Sequence, residues 1–510
     1  MRIYSSQTRE KAEFIPIEAG KVRMYVCGPT VYDNIHIGNA RTFISFDVIR
    51  RWLMASGYEV TFAQNLTDVD DKIINRAAEE GRDPAELAES FAERFIAIMR
   101  RAGVLDPDIR PRATREIGPM IGMIKRLIEQ GHAYAPGNGD VYFSVRSDPA
   151  YGAVSGRHLD DLMAGARIEE NTSKRDPFDF ALWKAVKPGE PSWKSPWGEG
   201  RPGWHTECAA MVHRYLGVPI DIHGGGSDLA FPHHENECAQ ASCAWHAGFS
   251  KIWMHAGMLL VEGEKMSKSL GNFFTLEEVL KRHSAAALRL LMAQTHYRSP
   301  LDFSWERLEG AEHSLARVAG TVENLLWAAS RSGQGDLATA PREAADTDDD
   351  RDGVVSAESL GGTLERAIKA ARAEFAAQMD DDFNTAGALA ACFSLVSEAN
   401  AYLDQAGSHL DPTLASNTAA MIRELFSTIG IELPVREGAD VPAEIVGIAQ
   451  ELVGFSGETS AEAAEAILAA RAEARSERDW ARADAIRDQL GAIGLMVEDT
   501  AHGSRIKWAQ

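Results

Sequence analysis

Cysteine is scarce. The 510 residues hold five, Cys27, Cys208, Cys238, Cys243 and Cys392, and no two of them form a Cys-x-x-Cys pair. That excludes the commonest zinc-ribbon and thiol–disulfide signatures. No apolar run approaches the roughly 20 residues a membrane helix needs. The opening MRIYSSQTREKAEF is charged and lacks the apolar core of a secretory signal,. An odd, sparse set of thiols in such a chain points to a reducing compartment, the cytoplasm, where each thiol is a core residue, a metal ligand or a nucleophile. Positive charge is short as well: 53 Lys+Arg stand against 75 Asp+Glu, a formal net charge of −22. This excludes a protein that holds nucleic acid by bulk charge, but not one that docks RNA on a local basic or neutral face. No internal repeat is visible.

What is there is ordinary for a globular protein: 45% hydrophobic and 25% charged residues,. At roughly 100–200 residues per domain the length predicts about three domains. Residues 22–27, VRMYVC, alternate Val22, Met24 and Val26 as a strand does. The turn formers GPTVYDNIHIGNA follow, then a helix from Arg41 with Phe43, Ile44, Val48, Trp52 and Leu53 near one face, ending at Gly57,. YEVTFAQNLT reads as a second strand. This βαβ unit predicts a Rossmann-type, doubly wound parallel sheet. VPIDIHGGG (218–226) reads as a strand running into a glycine turn, and a helix is predicted from Pro232 to Gly248. IWMHAGMLLVEG is a further strand that delivers the chain into GEKMSKSLGN (263–272). In open α/β sheets such strand ends form the ligand edge. After Phe273 the pattern turns helical. Residues 332–358 are an acidic, low-complexity stretch that reads as a solvated loop. Pro434 and VREGADVPAE mark a second boundary, and the tail reads as helix, turn and short hairpin.

GEKMSKSLGN is small and positive inside an acidic chain. Glycine, serine and lysine are also what any surface turn contains. A mobile loop with two ammonium groups, Lys265 and Lys268, closes on a phosphate as charge develops there. His36, Gly38 and Asn39 lie between the first strand and helix, where a helix N-terminus and a glycine would let a nucleotide approach the backbone. Alone, this short pattern is a generic turn; paired with the lysine loop on the same sheet edge, it favours a phosphate. His233 and Glu237 are four apart and share a helix face, a spacing that suits a metal. His234 and Cys238 have the same spacing on the adjacent face, and spacing alone leaves both pairs open. For Cys27, which ends the first strand, and Cys208 in GWHTEC, inert burial is the default reading.

The motifs CGPTVYDNIHIGNART, GRPGWHTEC, HGGGSDLAFPHHENE and GEKMSKSLGN, in this order, resemble the class I cysteinyl-tRNA synthetases. DDFNTAGALA and RADAIRDQLGAIGLMVEDTAHG extend the resemblance to the whole chain except the acidic stretch. The resemblance implies ATP-dependent activation of cysteine to an adenylate, with release of pyrophosphate, then transfer to the terminal adenosine of cysteine tRNA. It implies catalytic roles for His36, Lys265 and Lys268, and ATP contacts from Thr30, His36, Gly38, Asn39, Asp228, Lys265 and Lys268. Asn39 departs from the histidine that gives the first motif its usual form, though its amide still donates a hydrogen bond. It implies one zinc on Cys27, Cys208, His233 and Glu237, which decides between the rival pairs, and Mg²⁺ with ATP. Thr67 and Trp204 would line the cysteine pocket. A zinc with room for a further ligand accepts a thiolate, and no stretch is long enough for an inserted editing domain.

The same resemblance divides the chain into a catalytic domain (1–315, with a connective segment at about 110–200), a tRNA-binding helical bundle (316–433) and an anticodon-binding module (434–510). Residues 471–510 hold seven Lys+Arg and seven Asp+Glu, so this stretch is neutral. Arg471, Arg475, Arg478 and Arg482 recur at helical spacing, either toward RNA, with Trp480 stacking on a base, or ion-paired to Glu473, Glu477 and Asp479. The expected protein is a cytoplasmic monomer. Two other readings compete. Cysteine ligases of mycothiol synthesis also adenylate cysteine but pass it to an amino sugar, and they typically lack both the anticodon region and a carboxylate at the position of Glu237. A non-catalytic RNA binder would have no need of His36, Gly38, Lys265 and Lys268.

Overall fold

The computed structural model describes residues 1–157, 173–266, 272–331, 357–435, 442–500 and 503–508. The lysine loop's Ser267, Lys268 and Ser269, and nearly all of the acidic stretch, lie outside the described residues. The chain divides into two compact units: Met1–Leu315 with Glu374–Ala390 and Phe426–Glu432, and Ala316–Ala373 with Ala391–Leu425 and Leu433–Gln510.

The first unit is built on a parallel four-stranded sheet. Its strands are β1 (Lys21–Val26), β2 (Glu59–Gln64), β3 (Ile220–Gly226) and β4 (Ser250–Ala256), in the spatial order β4-β3-β1-β2. Helix α1 (Ile37–Ala55) joins β1 to β2. Helix α2 (Trp204–Leu216) precedes β3, and helix α3 (Glu235–Trp245) joins β3 to β4. The chain leaves β1 toward one side of the sheet and β3 toward the other. The crevice beyond the carboxyl ends of β1 and β3 is therefore the topological switch point, where such sheets bind ligands.

Three local expectations shift. Helix α1 begins at Ile37, not at Arg41, because His36 takes an extended conformation and its side chain accepts from the Asn39 N–H, capping the first turn,. The predicted helix at Pro232 starts at Glu235. It is preceded by a wide turn, Ala230–His234, in which Phe231 is extended (φ −144, ψ 132). Proline disfavours helical geometry in the residue before it, and Phe231 obeys. The three glycines of VPIDIHGGG belong to the strand rather than to a turn. At Gly224 a Cβ would lie 2.2 Å from the Phe46 ring of α1, so glycine there lets helix and sheet pack,.

Between α1 and α2 lies a five-stranded antiparallel sheet within residues 133–202, inside the predicted connective segment. After β4 come the short strands β5 (Leu259–Val261) and β6 (Glu264–Lys265). With β7 (Leu301–Phe303) they form a three-stranded sheet. In the second unit, Arg471 and Arg475 pair with Asp499 of the terminal hairpin and Arg482 pairs with Glu473. The ion-paired reading holds for these three, though Asp499 was not among the partners expected. Trp480 is 58% exposed. No helix among the described residues is long and apolar enough to cross a membrane.

A buried ion pair fixes α1. Arg289 donates to Asp47 (2.6 Å) and to the Ile429 carbonyl, while Asp47 also accepts from Arg51 (2.8 Å) and the Leu105 N–H. Both side chains of the pair are essentially inaccessible. Removing one partner strands the other in a low-dielectric interior. Asp47→Ala is therefore expected to cost about 3–5 kcal/mol. Urea unfolding followed by circular dichroism checks this, and a midpoint unchanged from wild type would contradict it.

Candidate metal centre and nucleotide edge

Four donors meet beyond the ends of β1 and β3. Cys27 is the residue after β1, Cys208 lies in the second turn of α2, and His233 and Glu237 flank the start of α3. One ligand atom from each, all four residues buried, lies within 4.8 Å of every other. The two sulfurs are 3.7 Å apart, Cys27 Sγ is 3.3 Å from Glu237 Oε1, and His233 Nε2 is 2.7 Å from the same oxygen. Glu237 Oε2 is 2.7 Å from His223 Nε2, yet too poorly aligned for a hydrogen bond, and is otherwise unpartnered.

Burial and neighbouring charge set the protonation of this cluster. Burial pushes the Cys27 thiol well up, and its neighbour Cys208 adds to the shift. For Cys208 burial acts the same way, but hydrogen bonds from Cys27 and His233 outweigh it and hold the thiol below its usual value. Burial would lower the His233 imidazole; Glu237 and Cys208 instead raise it to about 10. Glu237 is held well below the carboxylate range by His233 and His223, against its burial. Two thiols, an imidazole and a carboxylate, closely packed and dehydrated, fit a divalent, sulfur-tolerant ion.

A second group, Cys27, His223, His234 and Glu237, also converges within 4.8 Å. It offers one sulfur instead of two, and His234 Nδ1 is already 2.8 Å from His255 Nε2. The rival pair His234–Cys238 is not brought together: Cys238 is absent from both donor groups. Sequence reading quoted His223 only as part of a glycine turn. Its interior position on β3 was the available signal.

Trp204 and Thr67 border the cluster. The Trp204 ring stacks on His233 at 4.2 Å and remains 37% exposed. Thr67 is buried; its hydroxyl donates to Glu207 Oε2 (2.7 Å) and accepts from Asn65 Nδ2 (3.3 Å). Thr30 faces Thr67 across a bridge between the segments that follow β1 and β2. Glu207 is buried, and its other oxygen is unpartnered. Burial, with Cys208 adding, pushes its carboxyl well up.

Beside the metal cluster lies the nucleotide edge. His36 Nδ1 accepts from the Asn39 N–H at 3.2 Å, so the proton of the neutral ring sits on Nε2,. Burial lowers the His36 pKa; Asp228 opposes this and Lys265 adds to it, so the three groups sense one another. At Gly38 a Cβ would lie 2.8 Å from Met266 Cε and 2.9 Å from His36 Nδ1. The two motifs therefore meet at Gly38, where an added side chain would have to displace the Met266 tip or the His36 ring. On the other side of the basic loop, the His36 ring meets Phe273 edge-on at 5.2 Å, and the Ile37 N–H donates to the Phe274 carbonyl. Asp228 lies just beyond β3 and is exposed, as is Lys265 on β6. Lys268 lies outside the described residues.

Loss of Cys208 is expected to abolish the centre. Cys208→Ala should lose stoichiometric metal, whereas His234→Ala, outside the two-sulfur set, should keep it with affinity within about tenfold. Elemental analysis and chelator competition read both. Metal retained by the first variant and lost by the second would transfer the assignment to the other donor group.

Comparison with known proteins agrees with this geometry. The family model described as "tRNA synthetases class I (C) catalytic domain" matches residues 13–313. The DALR domain matches residues 374–433, and the "Cysteinyl-tRNA ligase anticodon binding domain" matches residues 459–508. The cysteine–tRNA ligase of Symbiobacterium thermophilum is 45% identical over 99% of both chains. That of Heliobacterium modesticaldum is 46% identical over 100% of both. Among solved structures, methionyl-tRNA synthetase of Mycobacterium tuberculosis with methionyl-adenylate has a TM-score of 0.60 at 14% identity, covering 80% of this chain and 90% of that one. At that identity the likeness concerns the fold alone.

Proposed function

The chain belongs to the cysteine–tRNA ligase family, and on that premise we propose that it activates cysteine with ATP and charges cysteine tRNA with the product. The observation that carries the proposal is the two-thiol, imidazole and carboxylate cluster beside the His36–Lys265 edge. In the first step a carboxylate oxygen of cysteine attacks the α-phosphorus of ATP. The bond to the bridging oxygen breaks, and pyrophosphate leaves with the electron pair. In the second step a ribose hydroxyl of the terminal adenosine attacks the carbonyl carbon of the adenylate; AMP leaves, and the hydroxyl proton passes to solvent.

The chain's own groups divide the work. His36, neutral and carrying its proton on Nε2, donates to a phosphate oxygen. Lys265 and Lys268 supply positive charge where negative charge builds on the phosphates. Asp228 accepts from ribose hydroxyls. Thr30, Gly38 and Asn39 line the nucleotide's path at the helix N-terminus. Mg²⁺ accompanies ATP. Thr67, held by a donated hydrogen bond to Glu207 and one accepted from Asn65, borders the cysteine pocket. Trp204, stacked on His233, walls the pocket.

Cys27, Cys208, His233 and Glu237 hold the metal, which we take as Zn²⁺. When bound, it supplies a Lewis acid that prefers the substrate's thiolate to the hydroxyl of serine. A site that demands a specific bond rejects an analogue lacking it by about 10⁴–10⁵, which makes editing unnecessary. The match over residues 459–508 and the exposed Trp480 support tRNA as the acceptor. The reading carries with it a cytoplasmic monomer.

The test offers labelled cysteine, ATP and Mg²⁺ with cysteine tRNA in one tube and an amino-sugar acceptor in another. Label on tRNA alone is expected; label on the sugar alone would leave only the adenylation half of the proposal. In the same assay, Lys265→Ala should lower pyrophosphate exchange by about 10²-fold while bound metal stays stoichiometric.

A further inference from the structure

Arg41 lies in the second turn of α1, five residues past His36, and is 1% exposed. A buried guanidinium is costly unless paired, and here its hydrogen bonds go to backbone carbonyls. Nη1 donates to the Met258 carbonyl at 2.8 Å, and Nη2 donates to the carbonyls of His296 (3.3 Å) and Ser299. These acceptors belong to two segments, the one that opens β5 and the one that leads into β7.

The Met258 carbonyl is where the basic loop's support begins. It also accepts from the Leu301 N–H, and Leu259 then pairs with Leu301 in parallel. β5 turns back through Glu262 (φ 54) and Gly263 (φ 77), a tight two-residue hairpin,. The Gly263 N–H donates to Asp302, and Leu260 pairs with Lys265. From Met258 to Gly263 the backbone is thus tied to β7, Lys265 is paired back onto β5, and Arg41 ties that platform to the helix His36 caps. Immediately before it, a Cβ on Gly257 would lie 2.5 Å from the Ser299 oxygen and 2.6 Å from the Arg298 oxygen. The metal donors, Thr67 and Trp204 sit on other elements.

We propose that Arg41 is a positioning residue for adenylate formation. Its fork sets the separation of the His36 helix from the Lys265 hairpin, and with it the placement of the ATP phosphates. This rests on the function proposed above. The planar guanidinium reaches both carbonyl segments at once; a lysine ammonium reaches one. Because the arrangement touches neither the metal donors nor Thr67 and Trp204, its disturbance acts on ATP and not on cysteine. Because pyrophosphate has left before the second step, transfer to tRNA is untouched.

The test uses full-length, metal-loaded protein as wild type, Arg41→Lys and Gly257→Ala; the last displaces the same strand with Arg41 intact. Pyrophosphate exchange is measured against ATP and against cysteine. Cysteine binding is measured by calorimetry, and transfer by chasing isolated enzyme-bound adenylate with tRNA. For both variants kcat/KM for ATP should fall by about a hundredfold. Cysteine affinity and the transfer rate should stay within about twofold of wild type. ATP and cysteine parameters falling together, or exchange unchanged in either variant that folds, would overturn the positioning role. Wild-type protein inactive in exchange would instead sink the functional reading, and this inference with it.

Discussion

The molecule is organised around one electrostatic problem. Two thiols, an imidazole and a carboxylate from three separate stretches of chain are buried together within 4.8 Å. Each is costly to desolvate, and the costs add unless a charge of the right sign is shared among them. The proximity of Glu237 and Cys208 holds the His233 imidazole up at about 10, and His233 with His223 holds Glu237 down. A divalent cation would supply the shared charge, with four donors already assembled. The sheet makes the assembly possible: β1 delivers Cys27, the helix before β3 delivers Cys208, and the turn and helix after it deliver His233 and Glu237.

The nucleotide proposed above would meet the same switch point through different hardware. His36 caps α1 through Nδ1, leaving its proton on Nε2, and the Met266 side chain comes within 2.8 Å of where a Cβ on Gly38 would lie. The metal donors sit on one set of elements. The phosphate groups sit on α1 and the β5–β6 hairpin, joined through the Arg41 fork. Selection of an amino acid and activation of a phosphate can thus be tuned separately on one sheet edge, which suits an enzyme whose two substrates share only a reactive centre.

Much of this was legible in the sequence, because local patterns encode local structure. The alternation of Val22, Met24 and Val26, the apolar face of α1 and the tail hairpin all stand in the structure. Local signals also misled. The glycines at 224–226 looked like a turn but belong to the strand; Gly224 accommodates Phe46 from α1, and Gly225 faces His234 and Leu229. Spacing left His233–Glu237 and His234–Cys238 equal; three-dimensional convergence with Cys27 and Cys208 separates them. His223, Glu207 and Arg41 were missed because their partners Cys27, Thr67 and Met258 lie 196, 140 and 217 residues away, and no periodicity carries such information. Asp499 as the partner of Arg471 and Arg475 is a miss of the same kind.

The claim that the metal cluster recognises the substrate's sulfur is tested most directly with cobalt in place of the native ion, since Co²⁺ bound to thiolate absorbs in the near ultraviolet. The cobalt-loaded protein is titrated with cysteine and, separately, with serine, without ATP. The account predicts that cysteine strengthens the sulfur-to-cobalt band as a third sulfur joins those of Cys27 and Cys208, while serine leaves it unchanged. A spectrum indifferent to cysteine at saturating concentration would mean that the cluster only holds the fold together, and that discrimination resides elsewhere.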